Sequence, residues 1–187
     1  MQSLFKYILL FIISSCVTGC GYHLGYGNRE LKGGYKELAI PMFTNRTKDV
    51  QVEVYFTNAL IREFNRSKVA NITKSHVAPV TVEGFIRKIK VERQSPSGSS
   101  ELPGDTTLAA SYRIIMNVDL RLRRNSDHKI IWSSQFSGEK VYLAPQLKSN
   151  VINTANPLYN NSVRQQVYSN IAKDMMNEAY NRMTEVL

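Results

Sequence analysis

One stretch constrains the fold of this chain more than any other. From Ser111 to Arg123 the side chains alternate: Tyr112, Ile114, Met116, Val118, Leu120 and Leu122 fall on one face, and Ser111, Arg113, Asn117, Asp119, Arg121 and Arg123 on the other. Only Ile115 breaks the polar face. A period of two over this length describes a strand with one dry face and one wet face, the habit of antiparallel sheets covered on a single side. Asn125-Ser126-Asp127 reads as a hairpin turn into a partner strand from Lys129 to Tyr142. In that partner Ile130, Trp132 and Phe136 share a face, opposite Ser133, Gln135, Ser137 and Glu139.

The remaining segments supply what such a sheet needs. Glu37 to Phe43 reads as a first strand, with Pro41 confined to an edge or a strand end because it has no N–H to donate. Asp49 is the expected cap of a helix running to about Asn65, with Val50, Val54, Leu60, Ile61 and Phe64 facing the core and Glu53, Asn58, Arg62 and Glu63 on the other faces. Val80 to Ile86 alternates as a strand, and the apolar register then switches to Ile89 and Val91, which predicts a bulge near Arg87-Lys88. Gln94 to Thr107 is a polar loop rich in Ser, Gly and Pro. A second irregular stretch, 143–161, leads into a helix from about Ser162 to Glu185. Its stripe of Val163, Val167, Ile171, Met175, Ala179 and Met183 keeps helical spacing, so the methionines are core rather than soft metal ligands. The order β-α-β-β-β-α predicts an α+β two-layer sandwich, two helices on one face of a four-stranded, mostly antiparallel sheet.

The N-terminus places the domain in a compartment. Lys6 is followed by the apolar run Tyr7 to Ile13, the small residues Ser14 and Ser15, and then Val17-Thr18-Gly19-Cys20. This is a secretory signal peptide, too short to span a bilayer, and its end has the form of a bacterial lipobox in which Cys20 receives the lipid. Loss of 1–19 would remove Cys16 and leave one cysteine, hence no internal disulfide. Several acyl chains hold a protein firmly to a membrane without embedding it. Gly21 follows the cysteine, where Asp is an inner-membrane retention signal in enteric bacteria, so the outer membrane is expected. The glycine-rich residues to Tyr35 read as a tether. The expected organisation is therefore signal peptide 1–19, lipidated cysteine and tether 20–35, and a single domain over 36–187.

Charge is the remaining clue. The chain carries 24 Lys and Arg against 15 Asp and Glu, a net +9 of which the signal peptide holds only Lys6. Such a surplus points to an anionic partner; nucleic acid is excluded by export, leaving phospholipid head groups and phosphorylated lipopolysaccharide. Basic residues gather along strands: Arg87, Lys88, Lys90 and Arg93 on one, Arg113, Arg121, Arg123 and Arg124 on another, Lys140 and Lys148 after a third. Catalytic constellations are poor. His23, His76 and His128 match no metal-ligand spacing, no GxSxG elbow or P-loop occurs, and the carboxylates are scattered. No enzyme activity, metal or cofactor is expected.

Four segments carry a family resemblance. Cys20-Gly21-Tyr22-His23-Leu24, then Leu38 to Thr47, then Glu53 with Asn58 to Phe64, together with Ala110 to Val118 in the third strand, resemble the lipopolysaccharide-assembly lipoproteins. The resemblance implies a protein anchored in the inner leaflet of the outer membrane. It would sit as a plug inside a large β-barrel partner, assist that barrel's assembly and take part in delivering lipopolysaccharide to the cell surface. It also implies lipopolysaccharide contacts through basic residues near the loop before the third strand and after the fourth. The loop here has no Lys or Arg, so Lys140 and Lys148, with Arg113 as a weaker member, are the expected contacts. The alternative from another class is a free periplasm-facing lipoprotein that scaffolds a different envelope complex or binds cell wall.

Overall fold

The computed structural model describes residues 29–94, 109–145, 147–148, 153–154 and 157–185, with side chains described to Tyr142 and again from Asn161. Elements follow in the order β1 (Glu37–Leu38), β2 (Thr44–Asn45), α1 (Val52–Ser67), β3 (Asn71–Ile72), β4 (Val80–Gln94), β5 (Ala109–Arg124), β6 (Ile130–Pro145), β7 (Leu147–Lys148), β8 (Asn153–Thr154) and α2 (Pro157–Thr184). The main sheet has the order β2-β4-β5-β6. Only β2 is parallel to its neighbour; β4, β5 and β6 form an antiparallel meander. The expected α+β sandwich is present, with both helices on one face.

The alternation of β5 sets the layers. Ile114, Met116, Val118, Leu120 and Leu122 are each completely buried beneath the helices. The predicted bulge lies between Ile86 and Lys88, where one extra residue moves the apolar positions of β4 from even to odd numbers. A second irregularity falls between Leu122 and Arg123 and accommodates Ile131, which packs on the core while Ile130 stays 47% exposed, a reversal of the sequence expectation for Ile130. The expected first strand is broken in two about Pro41: Glu37 and Leu38 pair with β3, Ala39 bridges to Thr81, and Thr44 and Asn45 pair with Phe85 and Ile86.

Helix α1 differs most from the expectation. It begins at Val52 after Gln51 in a left-handed conformation, φ 69°, with no side-chain cap. Asp49 instead accepts a 2.9 Å hydrogen bond from the Tyr168 hydroxyl of α2. The buried stripe includes Val52, Phe56, Leu60 and Phe64, while Val50, outside the helix, is 72% exposed and Val54, on another face, 37%. Glu63, expected on a wet face, is buried between the helices, paired with Arg66 and accepting from Asn177 at 3.2 Å. The Phe64 and Tyr180 rings meet edge to face at 5.2 Å beside it.

Helix α2 presents the expected stripe: Val167, Ile171, Met175, Ala179 and Met183 are all buried. It comes so near β6 that a Cβ on Gly138 would lie 2.6 Å from the Met175 sulfur. Residues 29–32, within the stretch that the sequence assigns to the tether, are fastened to the end of this helix. The Glu30 and Lys32 N–H groups donate to the carbonyls of Thr184 and Met183, and Leu31 is buried. These carbonyls have no partner within the helix, and the cations of Arg29 and Lys32 suit its negative end. The signal peptide, Cys20, residues 20–28 and the loop over 95–107 lie outside the described residues.

Candidate functional site

Helices cover one face of the sheet and leave the other open, so the polar positions of β4, β5 and β6 stand together on a broad surface. Cross-strand register decides which charges meet. Glu83 is opposite Arg121, Phe85 opposite Asp119, and Glu92 opposite Arg113. Two diagonal pairs lock this pattern: Arg123 Nε donates to Glu83 Oε1 at 2.7 Å, and Arg87 Nε to Asp119 Oδ2 at 2.7 Å. Lys90 pairs with Glu92 along the strand, which holds the Glu92 carboxyl below its ordinary range through that hydrogen bond. At the turn, Arg124 donates to the Tyr35 hydroxyl at 2.9 Å, which raises the guanidinium's affinity for its proton, and to Asp127 at 3.0 Å. Asp127 is held low first by the Lys129 N–H and then by Arg124.

Phe85 is the one large aromatic side chain of β4 on this face, and it is half-buried. The guanidinium carbons of Arg46, Arg87 and Arg121 lie 5.5, 5.4 and 5.4 Å from its ring centroid. A depression of about 500 Å³ that shares Arg87 with this centre is lined by Arg87, Asn117, Asp119, Gln135, Phe136 and Ser137. Sequence reading found the basic residues of β4 and β5 but not Arg46, which arrives from the segment after β2. That Phe85 shares the face of Thr81 and Glu83 was legible in its odd number.

The three expected lipopolysaccharide contacts do not converge within the described structure. Arg113 is on the open face near the end of β5, 4.0 Å from Glu139 and within reach of the Gln94 amide oxygen, at 2.9 and 3.0 Å when that amide is turned toward the guanidinium. Lys140 is opposite Ile114 and therefore belongs to the helix-covered face, where its ammonium pairs with Asp174 of α2 at 2.7 Å. Glu139, Asp174 and Glu178 surround it in a groove of about 170 Å³. Arg113 and Lys140 thus occupy one end of the sheet but opposite faces. Lys148 falls in β7, and its side chain lies outside the described residues.

Two further properties bear on chemistry. Among the described residues no three His, Cys, Asp or Glu side chains come together as metal ligands. No described helix is long and apolar enough to cross a membrane. What the fold defines is a two-layer domain with a dry face for its own helices and an open face of ion pairs about an aromatic centre. Comparison with known proteins gives that class a family. Residues 35–183 match the lipopolysaccharide-assembly family model, LptE, and the chain belongs to that family. It is accordingly an envelope lipoprotein of lipopolysaccharide assembly, and the family is one of non-enzymatic assembly proteins.

Several solved structures are similar to this chain, and the one at a TM-score of 0.50 shares its fold. An uncharacterised lipoprotein B from Nitrosomonas europaea superposes with a TM-score of 0.50 at 14% identity, covering 88% of this chain and 90% of that one. The PelC dodecamer subunit of Paraburkholderia phytofirmans gives 0.48 at 10% identity over 81% and 90%. A minor lipoprotein from Acinetobacter baumannii gives 0.44 at 11% identity over 80% and 90%. No curated protein matches the sequence.

Proposed function

We propose that this chain is an outer-membrane lipoprotein, anchored through Cys20, that forms a complex with the β-barrel lipopolysaccharide translocon, plugs it and assists its assembly. Family membership over 35–183 is the observation that carries this reading. Physical support comes from the open sheet face. Its Ser, Asn, Gln and paired charges suit a hydrated barrel lumen, where lumen-facing side chains are themselves polar. Within this reading Arg113, Lys140 and Lys148 remain the candidate contacts for lipopolysaccharide phosphates, Arg113 from the open face and Lys140 from the groove beside α2.

Affinity purification of the full-length protein from membranes in mild detergent tests the central claim. Co-purification of a large β-barrel in equal amount is expected, and recovery of the lipoprotein alone would sink the reading. Cys20→Ala is expected to shift a chain separated from its barrel into the soluble fraction with its fold intact. Replacing Lys140 and Lys148 with Glu is expected to weaken lipopolysaccharide binding in a salt-dependent manner; binding unchanged at low salt removes both from the site.

A further inference from the structure

We propose that Phe85, with Arg46, Arg87 and Arg121 about it, anchors a protein interface on the open sheet face, and that the partner surface presents carboxylates there. Three guanidinium groups within about 5.5 Å of one ring centroid repel each other while each is attracted to the ring. Asp119 compensates Arg87 alone, and Glu83 is taken by Arg123. Among the described ion pairs none involves Arg46 or Arg121, so two cations at this centre are left for an outside anion.

The shape of the site favours a protein carboxylate over a phosphate. Phosphate sites draw on convergent backbone N–H groups or helix N-termini. Here Phe85 and Arg121 lie within the ladders of β4, β5 and β6, where backbone N–H groups are engaged in strand pairing. Arg with an aromatic residue, half-buried on a broad surface, is instead the composition of interface anchors, and a planar carboxylate takes a guanidinium through two parallel hydrogen bonds. The adjoining depression, with Asn117, Gln135 and Ser137, has room for a partner side chain.

This inference rests on the barrel reading only for the partner's name. Ser133, exposed and opposite Arg121 in β6, is the place for a photoreactive residue in the full-length protein in living cells. Irradiation is expected to give one protein adduct whose cross-linked peptide contains Asp or Glu. Arg121→Gln, or Arg46→Glu at the exposed sheet edge, is expected to lower its yield about tenfold, the loss typical of an interface anchor, while the thermal melt of the purified variant is unchanged. No protein adduct, an adduct with lipopolysaccharide or phospholipid only, or a yield indifferent to both substitutions overturns the proposal. An adduct with a β-barrel supports both readings; a charge-dependent adduct with a different envelope protein keeps this interface and overturns the barrel.

Discussion

Leu120 and Asp119 are neighbours in β5, yet they belong to regions with opposite physics. Leu120 points into a face where Ile114, Met116, Val118 and Leu122 are fully buried under two helices. Asp119 points to a face where charges are held by other charges and remain in reach of water. The covered face is specified by volume and the open face by pairing. Stability should therefore reside almost entirely on one side of a single strand and recognition on the other.

Substitution on alternate residues is the most forceful way to break this division. Leu120→Ala is expected to cost roughly 2–5 kcal/mol in denaturant unfolding, from lost burial and the cavity left behind. Asn117→Ala, exposed on the open face, is expected to stay within about 0.5 kcal/mol. Comparable losses at the two positions would mean that the open face is packed in the free protein. Glycines sharpen the same test. A Cβ on Gly84 would lie 2.3 Å from the buried Phe43 ring, so Gly84→Ala is expected to cost about 1–3 kcal/mol as overpacking. Gly138→Ala meets the Met175 thioether at 2.6 Å and the stiff Ile171 γ-methyl at 2.9 Å, and is expected to cost a comparable amount.

The division between faces was largely legible in the sequence because alternation is a local property. β5, the hairpin turn, the bulge at Arg87 and the α2 stripe all follow from periodicity, and each falls where expected. The α1 register was not legible. Val50, Val52, Val54 and Phe56 spread apolar residues over several faces, and the helix starts at Val52 after a left-handed Gln51, with Asp49 engaged by Tyr168 of the other helix rather than capping. The face of Lys140 was within reach: it shares parity with Trp132 and Phe136, so a strand of period two assigns it to the helix side. The Phe85 centre was beyond reach, because Arg46, Arg87 and Arg121 come from three segments that only the sheet brings together.

Tyr168 probes the covered side by a different means. Burial, then the hydrogen bond to Asp49, hold its phenol well above the ordinary tyrosine range. The unfolded chain loses this proton near pH 10 while the folded chain keeps it. The stabilisation is therefore complete below about pH 10 and declines above it, by at most about 1.4 kcal/mol per pH unit. Tyr168→Phe is expected to cost about 1.5–3 kcal/mol at pH 7, the order expected for a hydrogen bond to a charged group. That difference should shrink as unfolding is measured at pH 10 to 11. A constant difference across this range would show that the Tyr168 phenol gives up its proton as readily in the folded chain as in the unfolded one.

The smallest expected effect is the most discriminating for the open face. Arg123 and Glu83 are each 27% exposed at the side chain and join at 2.7 Å across β4 and β5. A double-mutant cycle to Ala is expected to give a coupling of about 0.2–1 kcal/mol, because solvent screens the pair and ordering two side chains offsets much of the attraction. Added salt should reduce it further. A pair of this strength does little for folding, but it removes Glu83 as a competitor for the cations around Phe85 and keeps Arg123 out of that cluster. Coupling above about 2 kcal/mol at moderate salt would place the pair in a desolvated setting and make the open face a structural element in its own right. The expected weak coupling leaves Arg46 and Arg121 as the charges for which folding itself has no use.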